Sequence, residues 1–180
     1  MSWWLASRAS GLVALALIGL SVAIGLAMAS KAFRRPGLSR TLIAVHEHAA
    51  LAALVAIAVH GITLLGDRWL NPGPVGIAVP FVMDYQPVFT GIGIVAGYLA
   101  AILGLTFYVR RRIGTKRWRN LHRLTPLVYA MGVAHALGAG SDRRVIAVLL
   151  VATGTPVLYL GILRALPGAT APSASRAGSG

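Results

Sequence analysis

Five long apolar stretches constrain the fold of this chain more than any other feature. They cover approximately residues 9–30, 41–65, 88–109, 121–139 and 145–163. A helix needs about 20 apolar residues to cross a bilayer, and the stretches approach or exceed that length. Hydrophobic residues make up 57% of the 180 positions, charged residues 12%, and the mean hydropathy is +0.74, which leaves too little polar surface for a soluble domain. The sequence therefore predicts an all-α, polytopic membrane bundle of five transmembrane helices.

The net charge of +13 comes mainly from two short loops on the same side of this bundle. Their basic residues are Lys31, Arg34, Arg35 and Arg40 in the first loop and Arg110, Arg111, Arg112, Lys116, Arg117, Arg119 and Arg123 in the second. The opposite loops carry balanced charges: Asp67, Arg68, Asp84, Asp142, Arg143 and Arg144. Because short basic loops stay cytoplasmic, the N-terminus is expected outside and the C-terminus in the cytoplasm. Contact with the anionic lipids of the bilayer explains the charge, and no nucleic-acid partner is expected.

Composition also indicates the domain organisation and excludes several types of cofactor site. Residues 1–166 are expected to form one transmembrane domain and residues 167–180 a disordered tail. The proline-rich loop 71–87 is predicted to cap the outer surface. The chain has no cysteine, which excludes disulfides, cysteine-ligated iron–sulfur clusters and covalent c-type haem attachment. It also has no phosphate-binding glycine loop or dinucleotide fingerprint.

Four of the five histidines lie in pairs within two of the apolar stretches. His46 and His60 are 14 residues apart, and His122 and His135 are 13 residues apart. An imidazole in hydrocarbon needs a partner, and ionisable residues inside membrane helices are usually functional. Both stretches follow cytoplasmic loops and therefore run parallel, which puts His46 and His122 near the inner face. His60 and His135 then lie near the outer face. Two such helices could hold two haems, each through one imidazole from each helix.

The two spacings differ in helical angle. At about 100° per residue, 14 residues leave His46 and His60 about 40° apart, on one helix face. Thirteen residues leave His122 and His135 about 140° apart. Pro126 lies between these two histidines. A proline kink or a single-turn π-bulge is predicted there to supply the missing rotation.

His48 provides a comparison for the other four histidines. It lies about 200° round the helix from His46 and therefore on another face. We expect it to contact a lipid headgroup or a backbone carbonyl. It is the natural substitute if His46 is not the inner ligand. Other readings of the four histidines are hydrogen bonding between helices without metal, and a transport protein that uses them for proton relay or to bind a metal ion such as zinc. Proton relays usually add intramembrane carboxylates, and Glu47 is the only acid within any stretch.

Several motifs together resemble the ferric reductase transmembrane family, which includes the haem-binding halves of ferric reductases and NADPH oxidases and bacterial stand-alone haem subunits. The resemblance covers roughly residues 5–160 and is densest from 41 to 142. The motifs are VHEH at 45–48, AVH at 58–60, VPF at 79–81, YQP at 85–87, WRNLHR at 118–123 and HALGAGSD at 135–142. Two departures are that many members have six spans, and that the flavin- and nicotinamide-binding domain of the oxidases is absent.

The resemblance implies two non-covalent b-type haems. It implies an inner ligand pair of His46 and His122 and an outer pair of His60 and His135. Bis-histidine ligation leaves no open iron position, which suits electron transfer better than oxygen binding. Haem propionates need cationic partners, and arginine is well suited to this. The candidates are Arg35, Arg119 and Arg123 at the inner face and Arg8, Arg68, Arg143 and Arg144 at the outer face.

The function expected from these features is transmembrane electron transfer. The chain is expected to be the haem-carrying subunit of an oxidoreductase system in a bacterial plasma membrane, with no catalytic residue of its own. A separate flavoprotein or membrane quinol would donate electrons, and an extracytoplasmic redox protein, ferric iron or oxygen would accept them. An assembly or haem-handling subunit without turnover is a further alternative.

Overall fold

The computed structural model describes residues 2–30 and 37–165 of the chain, and within these ranges it is helical without strands. The helices are α1 (Ser2–Ala29), α2 (Leu38–Leu64), α3 (Gly73–Ala78), α4 (Pro87–Leu105), α5 (Arg110–Ile113), α6 (Thr115–His122), α7 (Thr125–Ala139), α8 (Arg143–Leu149) and α9 (Thr155–Ala165). A π-helical turn, Leu150–Gly154, joins α8 to α9. The predicted all-α class is confirmed. The predicted tail from residue 167 and the basic residues Lys31, Arg34 and Arg35 lie outside the described residues.

Four of the described helices are long and apolar enough to cross a membrane. They are α1, α2, α4 and the continuous helix Arg143–Ala165. The predicted stretch 121–139 is not one helix, because α6 ends at His122 and α7 begins at Thr125. The 15 residues of α7 extend only about 22 Å, against a hydrocarbon core of about 30 Å. The fifth crossing and the orientation of the termini stay predictions.

Helix α1 occupies the centre of the bundle. It packs along α2 and also contacts α7, α9 and the π-helical turn, while α4 packs along α7. The main core cluster combines Leu15, Val22 and Leu26 of α1 with Tyr129 of α7 and Leu160 of α9. Many large apolar side chains point outward from the bundle, as expected for helices that face lipid.

The proline-rich segment 71–87 folds back against α4. Its short helix α3 is held there by the Tyr98 hydroxyl, which donates a hydrogen bond to the Ala78 carbonyl. The Phe81 ring packs over Gly91, where the absence of a side chain allows the close approach. Both contacts lie beyond the first turn of α4, so the predicted cap covers the side of this helix as well as its end.

Candidate cofactor site

The structure brings the four histidines together in two pairs. The ring centroids of His46 and His122 are 5.9 Å apart with an interplanar angle of 90°. Those of His60 and His135 are 6.1 Å apart with an angle of 75°. These are the two pairs expected from the sequence. We call the bundle end that contains the start of α1 the predicted outer end; the pair of His60 and His135 lies towards it.

A helix break supplies the rotation that the 13-residue spacing requires. The chain leaves α6 after His122 through two residues in a turn, and the Leu124 amide donates to the Leu121 carbonyl in a tighter, 3₁₀-type bond of 2.9 Å. The Thr125 hydroxyl donates to the His122 carbonyl at 2.7 Å. Pro126 then occupies the first turn of α7, where its missing N–H leaves no bond unmade. An interruption was predicted here and is observed, as a short 3₁₀-type turn between two helices rather than as a π-bulge. The π-helical turn lies elsewhere, at Leu150–Gly154.

Three of the four histidines donate a hydrogen bond from Nδ1 to a backbone carbonyl of another helix. His46 donates to Ser21 at 2.8 Å, His60 to Ser7 at 2.8 Å, and His135 to Phe89 at 2.9 Å. A carbonyl can only accept, so these bonds place the proton of each neutral ring on Nδ1. The lone pair of Nε2 is then available to a metal, and such bonds usually orient metal-binding histidines.

His122 is the exception among the four. Its Nδ1 atom is buried and has no hydrogen-bond partner among the described residues, and the same holds for Nε1 of the neighbouring Trp118. The two rings stack instead, with centroids 5.1 Å apart and an interplanar angle of 23°. The orientation of His122 is therefore set by aromatic packing rather than by a hydrogen bond.

The fifth histidine stays outside both pairs. His48 is exposed, and its Nδ1 bonds to the Ala44 carbonyl of its own helix at 2.7 Å. This matches the expected backbone-carbonyl contact. The ring that lies next to His122 is that of His46, not that of His48.

The arginines predicted as propionate partners lie at the two ends of the bundle. Arg119 and Arg123 flank His122, whereas Arg68 follows α2 and Arg143 begins α8 at the predicted outer end. All four side chains are exposed. They can therefore serve either a haem propionate or a lipid phosphate.

Arg8 is engaged within the protein. Its guanidinium donates to both carboxylate oxygens of Asp142, one of them at 2.6 Å, and lies 3.9 Å from the ring centroid of Trp4. This ion pair joins α1 to the loop between α7 and α8, so its chief role in the structure is to hold the predicted outer end together. The expectation that Arg8 serves a propionate receives no support from this contact.

The two imidazole pairs fit haem iron by their chemistry. Metal–imidazole bonds of about 2 Å on opposite sides of one iron put the ring centroids roughly 6 Å apart, as observed in both pairs. Each pair could supply two imidazole nitrogens, which is the number of ligands that a porphyrin-bound iron still requires. A protein-held zinc ion takes three or four ligands, and within residues 2–30 and 37–165 no group of three or more His, Cys, Asp or Glu side chains is placed to hold a metal ion.

The fold thus defines a multi-helix membrane protein that carries two pairs of neighbouring histidines, at two levels of its bundle. The family model described as "Ferric reductase like transmembrane component" matches residues 10–133. The chain belongs to this family, whose transmembrane domains generally bind haem. The match includes His46, His60 and His122 and ends just before His135. No curated protein and no solved structure matches the chain in the other two comparisons.

Sequence reasoning missed the groups that hold the histidine rings. These are the carbonyls of Ser7, Ser21 and Phe89, and the Trp118 ring. The two serines are 14 residues apart, the same interval that separates His46 from His60. That shared interval was a usable signal, whereas nothing in the sequence pointed to a contact made by the backbone of Phe89.

Proposed function

We propose that this protein is a dihaem b-type cytochrome that carries single electrons across the membrane between a separate donor and a separate acceptor. The supporting observation is the arrangement of two bis-imidazole pairs at two levels of one bundle, each with ring centroids about 6 Å apart. His46 and His122 would hold one haem, and His60 and His135 the other. Each bound haem would supply a one-electron redox centre.

The residues of the chain bind and orient these centres. Nδ1–H bonds from three of the histidines to carbonyls hold the rings in place and make Nε2 a better electron donor to the metal. The fourth ring, that of His122, is held by its stack on Trp118. The apolar helices around both pairs provide a low-dielectric setting, and ligation by two histidines would leave no open position on the iron for oxygen. The protein therefore favours electron transfer over oxygen chemistry.

The direction of transfer is proposed from charge. The basic residues of the 110–123 region lie at the bundle end of His122, so this end faces the cytoplasm in our proposal. A cytoplasmic flavoprotein or a membrane quinol would reduce the inner centre. An extracytoplasmic redox protein, ferric iron or oxygen would oxidise the outer one. Arg119, Arg123, Arg68 and Arg143 remain the candidate propionate partners, and the plasma membrane of a bacterium the expected location.

Electron transfer across sealed vesicles tests this function. The purified chain is reconstituted into liposomes that contain ferricyanide, and a membrane-impermeant reductant is added outside. We expect ferricyanide to be reduced at a rate that depends on the protein and falls to the level of empty liposomes in the variant His60→Ala. The variant His48→Ala is the matched control and should transfer electrons like the wild type. Equal rates for the wild type and His60→Ala would contradict the proposal.

A further inference from the structure

Helix α1 presents the same contact twice, once to each histidine of α2. The His60 ring donates to the Ser7 carbonyl and lies against Gly11, where an added Cβ would come 3.0 Å from Nδ1 and 3.1 Å from Cε1. The His46 ring donates to the Ser21 carbonyl and lies against Gly25, where an added Cβ would come 3.3 Å from Cε1. In both cases the glycine follows the accepting residue by four positions.

Helix geometry explains why a glycine is needed at this position. The carbonyl of residue i accepts a bond from the amide of residue i+4 and has a second lone pair to offer. Side chains in a helix lean towards the N-terminus and cover the preceding turn, so the side chain at i+4 lies over that carbonyl. A glycine at i+4 uncovers it, and an imidazole N–H can then reach the second lone pair. Phe89 and Gly93 on α4 repeat the arrangement for His135.

The spacing of the two contacts matches the spacing of the histidines. On α1, Gly11 and Gly25 are 14 residues apart. On α2, His46 and His60 are separated by the same interval. The helices run antiparallel, because the start of α1 meets the end of α2. Two helices with equal intervals can satisfy both contacts at once, and a shift of either helix along the other would lose both.

We propose that Gly11 and Gly25 are positioning residues that let α1 fix the ring orientation and the tautomer of both α2 histidines, one for each haem. The statement about haem rests on the proposed function; the contacts themselves belong to the polypeptide. The carbonyl bond increases the basicity of Nε2 and favours the ferric state, so its loss should raise the midpoint potential of the haem concerned. Gly11 then acts on the outer centre and Gly25 on the inner one.

The test is a redox titration of the purified holoprotein, with electron paramagnetic resonance of each low-spin ferric haem. Gly11→Ala should raise the midpoint potential of the haem that His60→Ala removes, change its g values and leave the other haem as in the wild type. Gly25→Val should do the same to the haem that His46→Ala removes. Valine is chosen because the Gly25 contact is looser, and alanine there should have a smaller effect.

One control separates this role from a general effect on folding. Gly61 lies beside His60 on α2, and a Cβ added there would meet nothing within 4 Å among the described residues, so Gly61→Ala should keep the wild-type potentials and spectra of both haems. Loss of both haems from Gly11→Ala or Gly25→Val, or a Gly61→Ala change as large as that of Gly11→Ala, would overturn the inference. A wild-type spectrum in both glycine variants would also overturn it. In that case two haems in the wild-type protein would still support the proposed function.

Discussion

Gly93 provides the sharpest test of how closely the helices enclose a histidine ring. An added Cβ at this position would come 2.6 Å from Cγ of His135, whereas ordinary contacts begin at 3.4 Å. The Nδ1 atom of this ring would lie closer still, so in Gly93→Ala the ring must recede by at least roughly 0.8 Å, or α4 and α7 must separate by that much. Such a shift would lengthen the 2.9 Å bond from Nδ1 to the Phe89 carbonyl beyond the range of a hydrogen bond of about 3.2 Å.

The free-energy change in Gly93→Ala follows from three contributions. Loss of the hydrogen bond costs about 0.5–1.5 kcal/mol. Overpacking costs about 1–3 kcal/mol. The higher helix propensity of alanine returns about 1 kcal/mol. We therefore expect a net destabilisation of about 0.5–3.5 kcal/mol and an altered spectrum of the outer haem.

The assay combines thermal unfolding in detergent, followed by haem absorbance, with electron paramagnetic resonance. Gly97→Ala is the matched control, because it lies one turn further along α4 and its Cβ would make an ordinary contact of 3.5 Å with Ile57. It should be at least as stable as the wild type and keep both haem signals. The reasoning fails if Gly93→Ala unfolds at the temperature of Gly97→Ala with an unchanged outer haem.

Three further predictions concern other parts of the bundle. Tyr129→Phe removes a partly buried 2.7 Å bond to Thr153, whose hydroxyl keeps a carbonyl partner. Unfolding measurements should therefore show a loss of stability of about 1 kcal/mol, and an unchanged stability would contradict this. Pro126→Ala allows α6 and α7 to merge into one helix. Electron paramagnetic resonance should then show the outer haem altered more than the inner one, whereas two wild-type signals would mean that the break persists without proline. Arg8→Gln breaks the partly exposed ion pair with Asp142 and should lower the free energy of unfolding by roughly 1 kcal/mol. The midpoint potential of the outer haem should stay as in the wild type, and a shifted potential would instead indicate that Arg8 is a propionate partner.

The membrane class and the histidine pairs were predictable, because both follow from local rules. Long apolar stretches leave a chain few alternatives to transmembrane helices. The 14-residue interval between His46 and His60 fixes one helix face, and it correctly indicated two levels of histidines. The break near Pro126 was predictable as a need for rotation, but its form was not. A turn between two helices and a kink within one relieve the same angular mismatch, and tertiary packing decides between them.

The groups that hold the rings were harder to predict. A backbone carbonyl has no residue-specific signature, so the partner of His135 could be found only from the packing of α4 against α7. The equal intervals on α1 and α2 were visible in the sequence but become informative only when the two helices are known to be neighbours. Apolar composition alone puts residues 121–139 in one stretch, because it does not register the two-residue break between α6 and α7.

Haem stoichiometry tests the central claim most directly. The wild-type chain, variants His46→Ala and His60→Ala, and the control His48→Ala are purified, and haem b is counted per polypeptide from the pyridine haemochrome spectrum. We predict two haems in the wild type and in His48→Ala, because among the described residues the His48 ring bonds to its own helix and lies outside both pairs, and one haem in each of the other variants. One haem or none in the wild type, or two haems in His60→Ala, would contradict the account.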